Sequence, residues 1–174
     1  YYVGGITGQN GSNGTISQCA VIGSAVNANM YVGGVTGANF GRIEQTFSRN
    51  NKINMAYDLD EMWSNYAYAA VRLNRDLYFN VSAFVGQNTN NGSITDCYVY
   101  GAEFNAVDTT GALCGANAGT ITRAYSAGTT LHSKSSYTAY GQTFYPTANK
   151  LSIGQNYVSS YNGTLDHVYY AYVS

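Results

Sequence analysis

The sequence predicts an all-β protein, a β-solenoid of about five stacked coils with two lateral insertions, forming one domain over residues 1–174. Three observations predict this fold: a glycine-containing segment recurs along the chain, short apolar stretches suit strands, and Gly and Asn residues separate these stretches. Repeat units of this kind bury their apolar faces on their neighbours, so a stack of coils replaces a single central core.

The repeated segment first occurs as Val3-Gly-Gly-Ile-Thr-Gly-Gln-Asn10, followed by Gly14-Thr-Ile16. Each copy has an anchor glycine at the position of Gly8, and successive anchors are separated by 29, 49, 29 and 39 residues. The later anchors are Gly37, Gly86, Gly115 and, in the most divergent copy, Gly154. The basic unit therefore has 29 residues, and we place the two insertions at residues 49–79 and 129–150.

Each unit has two predicted strand segments. The first has an apolar residue after a small one, such as Val35 after Gly34, and leads to a Gly-x-Asn that predicts a tight turn, because Gly and Asn adopt positive φ at low cost. The second segment begins with an apolar position that we predict to form one inward stack. The members of this stack are Ile16, Ile43, Ile94, Ile121 and Leu165. A polar pair follows, Ser17-Gln18 in the first unit, and breaks the alternation as a corner would.

An outward position of the second segment predicts a line of aromatic side chains, which we call the aromatic row. Its members are Phe47, Tyr98, Tyr125 and Tyr169. Such a row can stack sugars or receive another subunit. The alternative is that the rings only stabilise one another, because cross-strand aromatic pairs are favourable without a ligand.

The repeats resemble GLUG-motif repeats, which occur in bacterial surface proteins, adhesin-like proteins and non-catalytic regions of IgA-cleaving metallopeptidases. The resemblance rests on the Val3–Asn10 segment and its copies, covers most of residues 1–128 and extends weakly to residues 150–171. It implies a repeat module of a cell-surface protein. The positions that depart from the pattern are Thr7, Thr36, Cys114 and Ser82-Ala83.

The composition restricts the partners that we expect. Charged residues make up 10% of the chain, against roughly 25% in an average globular protein, and the net charge is -1. This balance provides no basic surface for nucleic acid. No apolar run approaches the ~18 residues that a membrane-spanning helix needs, so we predict no membrane span.

The insertion at residues 49–79 contains Trp63 and an acidic cluster. We expect the insertion to project from the coils and contact a neighbouring chain, because aromatic residues are favoured at interfaces. Asp58, Asp60 and Glu61 are a weak candidate for a Ca²⁺ site, since oxygen ligands at close spacing suit that ion. The alternative is a solvated, salt-bridged loop, because the pattern lacks the glycine and the terminal glutamate of an EF-hand loop.

We predict that the chain is not an enzyme and has neither catalytic residues nor a cofactor. Carbohydrate-cleaving β-helices need paired carboxylates on one face. Glu44 and Asp96 lie at the same predicted corner, but other units place Gln or Arg at the Asp96 position, which is typical of solvent-facing residues. His132 and His167 belong to different units and to no metallopeptidase motif.

The three cysteines are predicted to be unpaired. Cys19 and Cys97 share one motif position with another coil between them, which places them too far apart for a disulfide. Cys114 is out of phase with the inward Leu113. The alternative is that one cysteine bonds to a segment or a subunit that the repeat pattern does not place.

Five Asn-x-Ser/Thr sequences are candidates for glycosylation. They begin at Asn10, Asn13, Asn80, Asn91 and Asn162. Four of them are Asn-Gly-Ser/Thr, a sequence that turns produce without any glycan, so they support an extracellular location only mildly.

These observations lead to the hypothesis of a non-enzymatic extracellular structural protein, a module of a self-assembling filament or appendage, or of a surface adhesin stalk. Its partners would be further copies joined head to tail, or flanking repeats of a longer chain. The reason is that repeat proteins normally cover their outer coils with charged or polar caps. Tyr1-Tyr2 and the β-prone Val168–Ser174 segment contain no charged residue. The alternative is a carbohydrate-binding or carbohydrate-cleaving β-helix.

Overall fold

A computed structural model describes residues 2–28, 30–55, 80–105, 110–132, 137–139, 142–144, 153–155, 157–158 and 161–171. These residues form strands and turns, with no helix among them, which confirms the predicted all-β class. The insertion residues 56–79, with Trp63 and the candidate Ca²⁺ ligands Asp58, Asp60 and Glu61, lie outside the described residues.

Most described strands belong to four parallel sheets, which the chain visits in a fixed order. The first sheet contains β1 (Val3–Gly4), β6 (Val32–Gly33), β11 (Val81–Ser82) and β15 (Thr110–Gly111). The second contains β2 (Thr7–Asn10), β7 (Thr36–Asn39), β12 (Val85–Asn88), β16 (Cys114–Asn117) and β21 (Ile153–Gln155). Equivalent residues of successive units thus become hydrogen-bonded neighbours.

The third sheet is the widest. It contains β3 (Thr15–Ser17), β4 (Ala20–Ile22), β8 (Arg42–Glu44), β9 (Phe47–Arg49), β13 (Ser93–Tyr100), β17 (Thr120–Ala127) and β24 (Thr164–Ala171). The fourth sheet contains β5 (Ala25–Ala28), β10 (Lys52–Met55), β14 (Glu103–Asn105) and β18 (Thr130–His132). Two antiparallel pairs form separate two-stranded sheets: β19 (Tyr137–Ala139) with β20 (Gln142–Phe144), and β22 (Tyr157–Val158) with β23 (Tyr161–Asn162).

The fourth sheet contains residues that the repeat pattern assigned to the two insertions. Lys52–Met55 pairs in parallel with Ala25–Ala28, so the repeated part of the chain continues through residue 55 and not only to residue 48. Thr130–His132 likewise pairs with Glu103–Asn105. The sequence did not reveal these strands, because they lack the glycine anchor that marks the second sheet.

The Gly-x-Asn sequences form strands of the second sheet, so the prediction of a turn there was wrong. Neither Gly8 nor Asn10 has a positive φ. Glycine is required for a different reason: a Cβ on Gly86 would lie against the carbonyl oxygen of Gly37 in the neighbouring strand. The close approach of successive strands selects glycine here, and turn geometry does not.

The apolar residue of the first segment lies at a bend between the first and second sheets, and not inside a strand as expected. Val35, Phe84 and Leu113 are fully buried at this bend. Because the chain changes direction there, strict alternation fails, and Cys114 is buried immediately after Leu113. The alternation of the sequence placed Cys114 out of phase with the inward Leu113, but both side chains are buried.

Candidate interaction surface

Asparagine side chains of the second sheet form a buried hydrogen-bonded ladder. Nδ2 of Asn10 donates to Oδ1 of Asn39, Asn39 donates in the same way to Asn88, and Asn88 to Asn117, each at 2.8 Å. The same amide nitrogens also donate to backbone carbonyls; Asn39 Nδ2, for example, lies 3.2 Å from the oxygen of Gly41. The ladder satisfies polar groups inside the protein, and the interpretation of Gly-x-Asn as a turn overlooked it.

The five residues of the predicted inward stack lie in register on neighbouring strands of the third sheet. Ile16 pairs with Ile43, Ile43 with Ile94, Ile94 with Ile121, and Ile121 with Leu165. The four isoleucines are at most 7% exposed, whereas Leu165 is 42% exposed. Leu165 belongs to β24, the strand at one edge of the sheet, where no further described strand covers it.

The aromatic row is stacked over its first two steps. The rings of Phe47 and Tyr98 are 4.8 Å apart and tilted by 3°, and those of Tyr98 and Tyr125 are 5.2 Å apart and tilted by 5°. Tyr169 lies in register with Tyr125, and its ring meets the imidazole of His167 edge-on, with 6.5 Å between centroids and 68° between planes. The geometry of the row therefore changes at its last step.

A column of polar residues bends the third sheet beside the aromatic row. Gln18, Gln45, Asp96, Arg123 and His167 all have φ between 49° and 55°, in the left-handed region. The first four are the second residues of the polar pairs that predicted a corner, and His167 occupies the equivalent position after Leu165. A non-glycine residue in this region is strained, and in a β-strand such a residue increases the local bend.

Neighbouring side chains of this column hydrogen-bond to one another. Gln18 Nε2 donates to Gln45 Oε1 at 3.1 Å, and Arg123 donates through Nε and Nη2 to the two carboxylate oxygens of Asp96 at 2.6 and 2.8 Å. The Arg123 hydrogen bond and charge lower the pKa of the Asp96 carboxyl. His167 Nδ1 lies 2.6 Å from the carboxylate of Asp166.

An open groove of about 330 Å³ lies between β17 and β24, where the stacking of the aromatic row ends. Its lining residues are Arg123, Ala124, Tyr125, His167 and Tyr169. The two tyrosines are 46% and 63% exposed. The sequence predicted that both tyrosines belong to one row, but it did not predict that the stacking ends between Tyr125 and Tyr169.

Burial divides the candidate glycosylation sites into two groups. Asn13, Asn91 and Asn162 are exposed. Asn10 is 6% exposed and its Nδ2 belongs to the asparagine ladder, while Asn80 is 2% exposed. At these last two sites the nitrogen that would carry the glycan is not accessible in the folded protein, and glycosylation at all five sites stays a prediction.

The three cysteines are free thiols. Cys97 and Cys114 are buried and Cys19 is half-buried. Burial raises the pKa of the Cys97 thiol to about 11 and that of Cys114 to about 12. Such thiols act as small apolar side chains and not as nucleophiles.

Other carboxylates of the described strands lie in exposed ion pairs. Glu44 pairs with Arg42 at 2.8 Å, and Glu103 lies between Lys52 at 3.4 Å and His132 at 3.2 Å. Within the described part of the chain, no three His, Cys, Asp or Glu side chains lie close enough together to bind a metal ion. The same part contains no apolar helix of membrane-spanning length.

Comparison of the chain with protein-family models, with curated proteins and with solved structures found no significant match.

Proposed function

We propose that the chain is a β-solenoid that serves as a non-enzymatic extracellular structural module, and that it associates end to end into a filament, an appendage or a surface stalk. The observation that carries this proposal is the alignment of equivalent side chains from unit to unit. The asparagine ladder, the inward stack and the aromatic row each run across successive strands of a parallel sheet.

The solenoid part of the proposal rests on the path of the chain. The first four passages of the chain each place strands in the first, second, third and fourth sheets in that order, and the last passage has described strands in the second and third sheets. Every strand pair within these four sheets is parallel, as expected when successive coils stack in one direction. A resemblance to GLUG-motif surface repeats agrees with this architecture.

The structural role is supported by how the carboxylates are used. A general acid needs a carboxyl group with a raised pKa, as a carbohydrate-cleaving enzyme requires. Arg123 instead lowers the pKa of Asp96, and Glu44 and Glu103 are neutralised by cations at the surface. The ion pairs of Asp96 and Glu103 connect neighbouring strands, and that of Glu44 lies within β8, so these groups are placed to stabilise the sheets and not to transfer protons.

End-to-end association is supported by the edge strand β24. Leu165 occupies the inward stack, yet 42% of its surface is exposed because no described strand lies beyond it. At the opposite edge of the same sheet, β3 begins the stack with Ile16. A second copy can therefore place its β3 beside β24, which covers Leu165 and continues the parallel sheet. A head-to-tail contact that does not close into a ring produces a filament.

Light scattering coupled to size-exclusion chromatography tests this proposal on the 174-residue chain. The average mass is expected to rise with concentration, and Leu165→Lys is expected to stop the rise, because a charge in the stack prevents another strand from covering it. Tyr161→Lys is the matched control, since Tyr161 is 55% exposed but belongs to another sheet. A chain that remains monomeric well above micromolar concentration contradicts self-assembly, and a much longer native polypeptide favours a covalent stalk.

The alternative of a carbohydrate-binding protein is favoured by one observation, the groove between Tyr125 and Tyr169. Its tyrosine lining is suited to a ring with an apolar face. No carboxylate of the described residues lines this groove, so the observation favours binding and not cleavage.

A further inference from the structure

We propose that the groove between Tyr125 and Tyr169 binds an uncharged pyranose ring. This inference concerns the side of the third sheet and does not depend on end-to-end association. The groove lies between β17 and β24, whereas the proposed contact with a second copy uses the far edge of β24.

The first feature that supports this site is the position of the Tyr125 ring. Tyr98 stacks on one face of Tyr125 at 5.2 Å and 5°. The side of Tyr125 toward β24 borders the groove, because the Tyr169 ring is oriented edge-on to His167. A ring placed about 5 Å beyond Tyr125 continues the existing stack, which is the separation typical of ring contacts.

The second feature is the charge around the groove. The guanidinium of Arg123 is held by both oxygens of Asp96, and His167 is held by Asp166. An anionic ligand would have to compete with Asp96 for the guanidinium and would lie near the carboxylate of Asp166, so the surroundings favour a neutral ligand.

The third feature is the chemistry of the lining. The two tyrosines provide apolar ring surface, and the surface that Arg123 and His167 contribute to the groove is apolar as well. The C–H groups on the faces of a pyranose suit this surface, and its hydroxyl groups can stay in solvent because the groove is open. The volume of about 330 Å³ is near the lower limit of the roughly 300–1,000 Å³ typical of ligand sites, so the groove suits one or two sugar rings.

The experiment is a titration of the 174-residue chain with neutral gluco-, manno- and galacto-oligosaccharides, followed by ligand-observed NMR and isothermal calorimetry. We expect at least one of these series to bind and Tyr125→Ala to weaken its binding by about tenfold or more. Tyr125→Phe, which keeps the ring, is expected to bind nearly as well as the unmodified chain. Tyr100→Ala is the matched control, because Tyr100 is 45% exposed, close to the 46% of Tyr125, and does not line the groove.

Thermal unfolding of each variant shows whether it is folded under the conditions of the titration. The proposal is overturned if none of the oligosaccharides binds, or if folded Tyr125→Ala binds as tightly as Tyr100→Ala. It is also overturned if phenol or indole binds at Tyr125 while every oligosaccharide fails, because the groove would then be a site for an aromatic side chain of another protein.

Discussion

Replacing Asn88 with alanine measures how much the asparagine ladder stabilises the fold. Asn88 is fully buried, donates to Asn117 at 2.8 Å and to the carbonyl of Gly92 at 3.3 Å, and accepts from Asn39 at 2.8 Å. At about 1 kcal/mol net for each hydrogen bond, the loss of three bonds lowers the free energy of unfolding by about 3 kcal/mol. For a chain of 174 residues this corresponds to a decrease in Tm of about 6–12 °C.

The assay is thermal unfolding followed by far-ultraviolet circular dichroism, with Asn91→Ala as the matched control. Asn91 lies three residues from Asn88 but is exposed, so its replacement is expected to change the free energy of unfolding by no more than about 0.5 kcal/mol. If Asn88→Ala and Asn91→Ala lower Tm by the same small amount, the ladder contributes no measurable stability and the reasoning is refuted.

Asn88→Asp adds a pH dependence with a defined sign. The new carboxylate faces the oxygens of Asn117 and Gly92, so its charged form is disfavoured and its folded-state pKa lies above the unfolded value of about 3.9. The stability of this variant is then greatest below the unfolded pKa and is lost as the pH rises through the folded pKa. A variant whose Tm deficit relative to the unmodified chain is constant from pH 3 to pH 7 contradicts this account.

Three further predictions test other parts of the structure. In the native protein at pH 8, Cys114 is expected to resist alkylation by iodoacetamide while Cys19 reacts first, because burial raises the pKa of the Cys114 thiol to about 12. Equal rates of alkylation of the two cysteines, measured by mass spectrometry, would contradict this. After secretion from a eukaryotic cell, peptide mass spectrometry should find glycan on Asn91 and none on Asn10 in folded protein, because the Asn10 amide is in the ladder. Gln45→Gly is expected to leave the free energy of unfolding unchanged or to raise it by up to about 1 kcal/mol, since glycine relieves the positive φ of 49°. A clear loss of stability in thermal unfolding would show that the contacts of the Gln45 side chain outweigh the strain.

The repeated motif was the most informative property of the sequence. Its copies predicted which positions become neighbours, and the pairing of Ile94 with Ile43 and Ile121 follows that prediction. Repetition is read reliably because every unit provides an independent copy of the same constraint. The polar pair after each isoleucine also predicted a change of direction, and positive φ at residues such as Asp96 accompanies it.

The sequence did not distinguish a turn from a strand at Gly-x-Asn. Both environments select the same residues, one for positive φ and the other for a close approach of two backbones with an amide ladder beside it. The deciding information is the separation of neighbouring strands, which a local pattern does not contain. The sequence did not predict the groove for a similar reason. The Tyr169 ring meets the His167 ring edge-on, and the orientation of a ring is not contained in a local pattern.

The asparagine ladder also gives the proposed assembly a direction. Each ladder bond runs from the Nδ2 of one unit to the Oδ1 of the next unit along the chain, as from Asn39 to Asn88. The parallel sheets have the same polarity, since β3 and β24 lie at opposite edges and run in the same direction. Joining two copies head to tail preserves both polarities, whereas joining like ends reverses the strands and places equivalent amide groups against each other. An assembly built on these edges is therefore expected to be polar, with all copies pointing the same way.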